Sequence, residues 1–240
     1  MSVAITADQL TKEIKGRKIV NQLSFTINKG EVFGLLGPNG AGKTTTIETL
    51  LGIKRPDYGS AKILGLDPRK RRREVFEKVG VQLQSSSYQN NIHVNELCRE
   101  LASLYQKPRD YRELLRLFKL EKFKKQPVEK LSGGEKQKLS IVLDLIPDPE
   151  IIFLDELTTG LDTEARRTVW QTLLKLKKTN LTIFLTTHYM EEAEILCDRI
   201  CLIKNGSIVV EGSIPELLAE SSQSNLEDAY LWFVGEDEDE

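Results

Sequence analysis

Val3 to Leu10 and Lys18 to Ile27 alternate apolar with polar side chains, the period-two pattern of half-buried strands. Turns fall at Lys15-Gly16 and at Asn28-Lys29-Gly30. Val32, Phe33, Leu35 and Leu36 then read as a fully buried strand, and Thr44 to Leu51 as a helix ending near Gly52. Pro56-Asp57-Tyr58-Gly59-Ser60 predicts a turn, Ala61 to Leu64 a short strand, Arg71 to Lys78 a helix and Val79 to Leu83 a strand. From Gln84 to Ile146 the period becomes helical. Val94 to Tyr105 places Leu97, Leu101 and Leu104 on one face, and Tyr111 to Leu120 places Leu114, Leu115 and Phe118 on another. Pro108 and Pro127 break these helices. The stretch is a helical insertion in an otherwise alternating α/β chain.

The alternation resumes at Glu150 to Leu154, an unbroken apolar run of the kind found in a central parallel strand. Thr163 to Lys178 is amphipathic, with Val169, Leu173 and Leu176 aligned and Asp162 placed as its cap. Leu181 to Thr187 predicts a strand and Tyr189 to Leu196 a helix. Arg199 to Ile203 and Ser207 to Val210 predict a hairpin across Asn205-Gly206. Ile214 to Glu220 and Leu226 to Phe233 predict closing helices joined by Ser221 to Ser224.

Composition narrows the classes. Of 240 residues, 40% are hydrophobic and 29% charged, enough for a sizeable core with a soluble surface. A net charge of -2 carries no nucleic-acid or anionic-membrane signature, so no nucleic-acid partner is expected. Arg69 to Arg73 and Glu236 to Glu240 are local charge runs, read as solvated surface and tail. Cys98, Cys197 and Cys201 are scattered, no C-x-x-C occurs, and the only histidines are His93 and His188, which argues against a zinc site. Free thiols fit a reducing cytosol. The N-terminal residues lack the charged and apolar regions of a signal peptide, and no apolar run approaches the ~20 residues that cross a bilayer.

The chemistry begins at Gly37-Pro38-Asn39-Gly40-Ala41-Gly42-Lys43-Thr44-Thr45, which fits G-x-x-x-x-G-K-[ST] between a strand and a helix. Such a loop points backbone N–H groups and the positive end of a helix at one spot, and its glycines let the backbone wrap phosphate oxygens closely. Lys43 can reach β- and γ-phosphates, and the Thr44 hydroxyl can hold a magnesium ion. A second anion site opens at Leu131-Ser132-Gly133-Gly134-Glu135, where Ser132 suits an N-cap. Shortly after it, Ile151-Ile152-Phe153-Leu154 delivers Asp155 and Glu156 to the C-terminal end of a strand, where ligands sit in open α/β sheets. Asp155 can hold magnesium through water, and Glu156 can orient or deprotonate an attacking water.

In this order and spacing the motifs resemble the ATP-binding subunit of ATP-binding-cassette (ABC) transporters, over nearly the whole chain. The resemblance implies an α/β fold of the P-loop NTPase kind, a RecA-like parallel-sheet core with an antiparallel β subdomain and an inserted helical subdomain. It implies one ATPase domain over residues 1–220 (core 1–84 and 147–220, helical subdomain 85–146), with a C-terminal helix and acidic tail over 221–240. Gln84 matches the glutamine that links magnesium and water to the helical subdomain; Gln82 falls inside the strand and fits less well. Asp162, in Thr159-Gly160-Leu161-Asp162, matches the D-loop, and His188 the switch histidine that contacts the γ-phosphate. His93 matches nothing. The family hydrolyses ATP with Mg2+ as a pair of cassettes, each nucleotide lying between the phosphate loop of one and the signature of the other. Ser132, Gly133, Gly134 and Glu135 would therefore serve a partner cassette's nucleotide. An integral membrane permease is the other implied partner, with the chain on the inner face of the cell membrane.

Glu31 to Gly40 and Leu226 to Leu231 are most similar to single-domain subunits of drug- and antibiotic-type exporters. Three positions depart from the family. Ile14 stands where an aromatic residue stacks on adenine, Leu157 where proline follows the acid pair, and Glu135 where the signature has glutamine. None removes a phosphate, metal or water-handling group. A soluble ABC ATPase is the alternative to a transporter subunit, and a nucleotide-binding module without turnover is a third reading, opposed by the presence of both Glu156 and His188. The surface from Tyr88 to Leu97, directly after Gln84, is expected to dock the membrane partner, with packing inside the helical subdomain as the competing role for its apolar residues.

Overall fold

In the computed structural model, which describes residues 2–82 and 88–235, the chain opens on a hairpin of β1 (Val3–Ile14) and β2 (Arg17–Asn28). β3 (Val32–Leu36) runs into the phosphate loop and α1 (Lys43–Leu50). β4 (Tyr58–Ile63) then returns to the free edge of β1, giving an antiparallel sheet of order β2-β1-β4. This strand begins inside the expected turn: Tyr58 pairs with Thr11 and Ser60 with Asp8, and the register shifts between those pairs. Gly59, at φ 76°, lies flush on the Asp8 and Gln9 carbonyls, so its glycine serves a bulge rather than a turn.

α2 (Arg72–Phe76) and β5 (Val79–Gln82) precede the helical stretch of α3 (Val94–Ser103), α4 (Tyr111–Leu117) and α5 (Gly133–Leu145). After it come β6 (Ile151–Asp155), α6 (Thr163–Lys177), β7 (Thr182–Thr187), α7 (Met190–Leu196), the hairpin of β8 (Arg199–Lys204) and β9 (Ser207–Ser213), α8 (Ile214–Ser221) and α9 (Leu226–Val234). The second sheet has the order β5-β6-β7-β3-β8-β9, parallel except for β9 at its edge.

The unbroken apolar runs are explained by two covered faces. Ile151 and Phe153 of β6 join Phe33, Leu35 and Phe184 in a core shared with α1 and the antiparallel sheet. Ile152 and Leu154 face the other way, into a core with α5, α6 and the helical stretch. The Phe153 and Phe184 rings lie 5.4 Å apart and the Phe33 and Phe184 rings 5.9 Å apart, within the range of favourable aromatic pairs. A third, smaller core sets α7, α8 and α9 against Leu36, Ile200 and Leu202.

Leu104 departs from its expected place. It is the C-cap of α3 and 76% exposed, while Val94 and Cys98 take the buried positions. The helix ends at Ser103, two residues before the expected Tyr105, and leaves Leu104 outside the helix. Tyr88, Ile92, Val94 and Leu97 all belong to the helical core, so packing consumes the apolar residues of the expected docking stretch and leaves Gln89, Asn90 and Asn91 exposed. The basic run is partly paired with nearby acids: Arg71 pairs with Glu74, Arg73 with Glu77, Lys70 with Asp67, and Arg72 lies 4.8 Å from the Phe76 ring. The acidic run over 236–240 lies outside the described residues.

Asp144, late in α5, is half-buried, but its Oδ2 is enclosed without a hydrogen-bond partner, and that burial pushes its carboxyl from an ordinary 3.8 up to about 8. Between those values the folded chain holds a proton that the unfolded chain has released, so stability falls as pH rises through that window, by at most about 1.4 kcal/mol per pH unit. Asp144→Asn, neutral throughout, is expected to melt above the parent at pH 8 and level with it near pH 4. An equal difference at both pH values, measured by thermal denaturation, would contradict the assignment.

Candidate nucleotide site

Leu36, the last residue of β3, pairs with Thr187 of β7, and Asp155, the last of β6, pairs with Thr186. The three strands therefore end level, and the loops leaving them converge. Gly37 to Gly42 turns tightly, with Ala41 N–H donating to Pro38 O at 3.2 Å and Gly42 at φ 102°, so that α1 starts at Lys43. Lys43 is only 4% exposed; its Nζ donates to the carbonyls of Gly37 at 2.8 Å and Pro38 at 3.1 Å. The same Nζ is 3.3 Å from Glu156 Oε1, which in turn is 3.6 Å from His188 Nδ1. Lysine, acid and histidine, drawn from three separate segments, thus meet at one carboxylate oxygen.

Glu156 sits at φ 48°, in the left-handed region that costs a non-glycine residue on the order of 1–3 kcal/mol. Thr186 holds it there. The Glu156 N–H donates to both the carbonyl and the hydroxyl oxygen of Thr186, each at 3.1 Å, and the Thr186 hydroxyl donates to Asp155 Oδ1. One buried threonine on β7 therefore fixes both acids. Asp155 is buried, and its Oδ2 has no hydrogen-bond partner. A buried carboxylate oxygen left free, one residue before the cleft-lining Glu156, together with the half-buried Thr44 hydroxyl of the cleft, suits the chemistry of an oxygen-seeking divalent cation that completes its shell with water and phosphate. Among the described residues no group of three or more His, Cys, Asp or Glu could hold a metal by protein ligands alone.

A cleft of about 360 Å³ opens over the loop, lined by Asn39, Gly40, Gly42, Lys43, Thr44, Thr45, Glu156 and Ile19. Ile19, on β2, was not expected. Ile14 is half-buried at the end of β1 and is not among the lining residues. Gln84 lies outside the described residues.

The second anion site is separate. Ser132 N-caps α5 in a capping box: Glu135 N–H donates to Ser132 Oγ at 3.3 Å, and Ser132 N–H donates to Glu135 Oε2 at 2.8 Å. Around Gly133 nothing lies within 4 Å of where a Cβ would stand, and Gly134 packs on Ala165 and Leu161. Asp162 caps α6 by accepting from Ala165 N–H at 2.7 Å. The cleft here, about 390 Å³, is bordered by Ser132, Gly134, Glu135 and Asp162 together with Lys119, Lys122 and Lys138. It shares no lining residue with the first. Gln137 Nε2 donates to Leu157 O at 2.8 Å and so ties the signature helix to the segment after the acids. Trp170 Nε1 of α6 donates to the buried Glu192 of α7 at 3.0 Å. Burial raises the Glu192 carboxyl, against the bonds it accepts from Thr187 and Trp170.

A phosphate loop, a strand-borne acid pair and a following histidine on one parallel-sheet edge define a P-loop ATPase cassette. The sequence pattern of the ABC transporter family matches residues 20–159. Over 220 residues the chain is 41% identical to the Nod factor export ATP-binding protein I of Burkholderia lata, spanning 88% of this chain and 70% of that protein. An ATP-binding subunit of an ABC transporter superimposes with a TM-score of 0.87 at 24% identity, over 97% of this chain and 100% of that one. The dimeric structure of MJ0796, a bacterial ABC transporter cassette, gives 0.77 at 24% identity, over 88% and 98%. The chain belongs to the ABC transporter family, as an ATP-binding subunit of the ATPase type.

Thr186 and Ile19 escaped the sequence reading. A hydroxyl residue late in an apolar strand was the one signal for Thr186; Ile19 follows no motif. Thr186→Val keeps the shape but strips Asp155 of its donor and Glu156 of one acceptor, at roughly 1–3 kcal/mol. ATP turnover is expected to fall about ten- to hundredfold, with Thr186→Ser close to the parent. Equal steady-state rates for the Val and Ser variants would rule out this role.

Proposed function

We propose that this chain powers export through a separate membrane-spanning permease, by hydrolysing Mg2+-ATP shared between two cassettes. The observation that carries the reading is the meeting of Lys43 and His188 at Glu156 Oε1, within 3.3 and 3.6 Å, over the phosphate cleft. A γ-phosphate held there would lie beside a cation that neutralises its charge, a carboxylate that can take a proton from water, and an imidazole that can steady the developing charge. Backbone N–H groups of residues 37–45 hold the phosphates. Thr44 and Asp155 would hold the magnesium ion, aided by Gln84; when bound, it would neutralise phosphate charge. Glu156 is the base, positioned by Thr186.

The second cleft takes the other half of the contacts. Its separation from the first within one chain supports the reading that Ser132, Gly134 and Glu135 act on a partner's nucleotide, with Asp162 at the same surface. Homodimer and heterodimer meet this requirement equally. The core over 1–84 and 147–220 and the helical subdomain over 85–146 are the two parts that ATP would draw together. The kinship with Nod factor export ATP-binding proteins supports export as the direction. No helix among the described residues is long and apolar enough to cross a membrane, which leaves the span to another chain. We place this one at the inner face of the cell membrane.

Because ATP bridges the two cassettes through its γ-phosphate, association weakens once that phosphate leaves. Lys43→Ala is expected to abolish turnover. Glu156→Gln keeps the fold and is expected to elute as a dimer with ATP and magnesium, and Ser132→Arg added to it to elute as a monomer. A Glu156→Gln chain that stays monomeric well above micromolar, or a dimer just as stable in ADP, would sink the shared-nucleotide reading.

Ile19 lines the cleft, no aromatic residue is among the described lining residues, and the base would rest on an aliphatic side chain. One missing aromatic stack is worth about 1–3 kcal/mol. GTP is therefore expected to compete with ATP within about tenfold, and a competition assay with a strong preference for ATP would show that some other residue reads the base.

A further inference from the structure

The Asn205-Gly206 turn at the tip of the β8–β9 hairpin lies beyond the residues matched by the family pattern, yet it is built into the phosphate loop. Gly206 N–H donates to Ala41 O at 3.1 Å, and Asn21 N–H donates to Gly206 O at 2.8 Å. Asn21 Nδ2 also donates to Ser207 Oγ at 3.0 Å. The Ile19 carbonyl is wedged between two glycines: a Cβ on Gly42 would stand 2.3 Å from that oxygen, and a Cβ on Gly206 2.5 Å. Beneath the loop's first residue, Ile203 O would stand 2.4 Å from a Cβ on Gly37. Asn205 at φ 51° and Gly206 at φ 77° give the left-handed pair that a two-residue hairpin turn needs.

A trans peptide is rigid and flat, so its C=O and N–H point in opposite directions. Holding the Ala41 carbonyl on Gly206 therefore turns the Gly42 N–H away from the hairpin, toward the side on which Gly42 lines the phosphate cleft. The same turn fixes the approach of Ile19, which lines that cleft as well. We infer that the Asn205-Gly206 turn is a positioning element for the nucleotide, setting the direction of the Gly42 N–H and the place of Ile19. A side chain at residue 206 would push Ile19 toward Gly42 and release the Ala41–Gly42 peptide, with no change in any residue that touches phosphate.

The full chain and the fluorescent analogue N-methylanthraniloyl-ATP test this. Gly206→Ala is compared with Gly65→Ala, which has the same positive φ of 77° but open space around its Cβ. The two share the backbone penalty and differ in the push on Ile19. Gly206→Ala is expected to weaken binding of the analogue about ten- to hundredfold, the worth of one backbone N–H to a charged phosphate. KM for ATP should rise in step while kcat changes less, and Gly65→Ala should bind like the parent. Should Gly206→Ala fail to fold, Asn21→Ala removes only the bond to Ser207 and is expected to weaken binding about threefold. Binding by Gly206→Ala within twofold of Gly65→Ala, or by Asn21→Ala equal to the parent, overturns the inference.

Discussion

The register of three parallel strands governs this molecule. β7 pairs with β3 on one side and β6 on the other, and all three end within one residue of the same level. The residues next along the chain are then Gly37, Glu156 and His188, so the backbone ladder alone delivers phosphate loop, acid and histidine to one edge. No side-chain attraction has to assemble them. The general tendency of open α/β sheets to bind ligands at the carboxyl ends of their strands has a local cause here.

Such an edge carries groups that a core would reject. Asp155 Oδ2 and His188 Nδ1 are enclosed without hydrogen-bond partners, and Glu156 is held at a left-handed φ. Each is unfavourable alone. The surrounding structure holds them in place: Phe33, Phe153 and Phe184 pack beneath the strands, α5 and α6 cover the opposite face, and Thr186 makes the short-range bonds. Polar groups left incomplete at a rigid edge are those with capacity to spare for phosphate, metal and water.

Charge reads differently at short and long range in this chain. In the basic run 69–73, Lys70, Arg71 and Arg73 pair with acids three or four residues away and Arg72 lies over the Phe76 ring. Lys119, Lys122 and Lys138, scattered in sequence, converge on the signature cleft beside Glu135. Glu135 itself is engaged by the Ser132 N–H, a placement that the positive end of α5 favours. The acid that departs from the family's glutamine thus closes its own loop.

How much was legible follows from the range of each interaction. The phosphate loop, the capped signature, the acid pair and the parallel strands were visible because their causes are local: glycine's freedom at positive φ, a hydroxyl within reach of an N–H three residues on, an apolar run long enough to span a sheet. Asp162 was legible as a cap for the same reason. Leu104 was misplaced because where a helix stops depends on what packs beyond it, and Gly59 because a glycine in a bulge and one in a turn look alike in sequence. Thr186, Ile19 and Gly206 act on residues more than twenty positions away, through bonds that exist only once the strands have paired. The sequence by itself determined which groups stand on the phosphate loop and at the strand ends, since each belongs to a motif of particular side chains at fixed local spacing. The tertiary structure decided how those groups are aimed, because aim is set by backbone partners that no local pattern specifies.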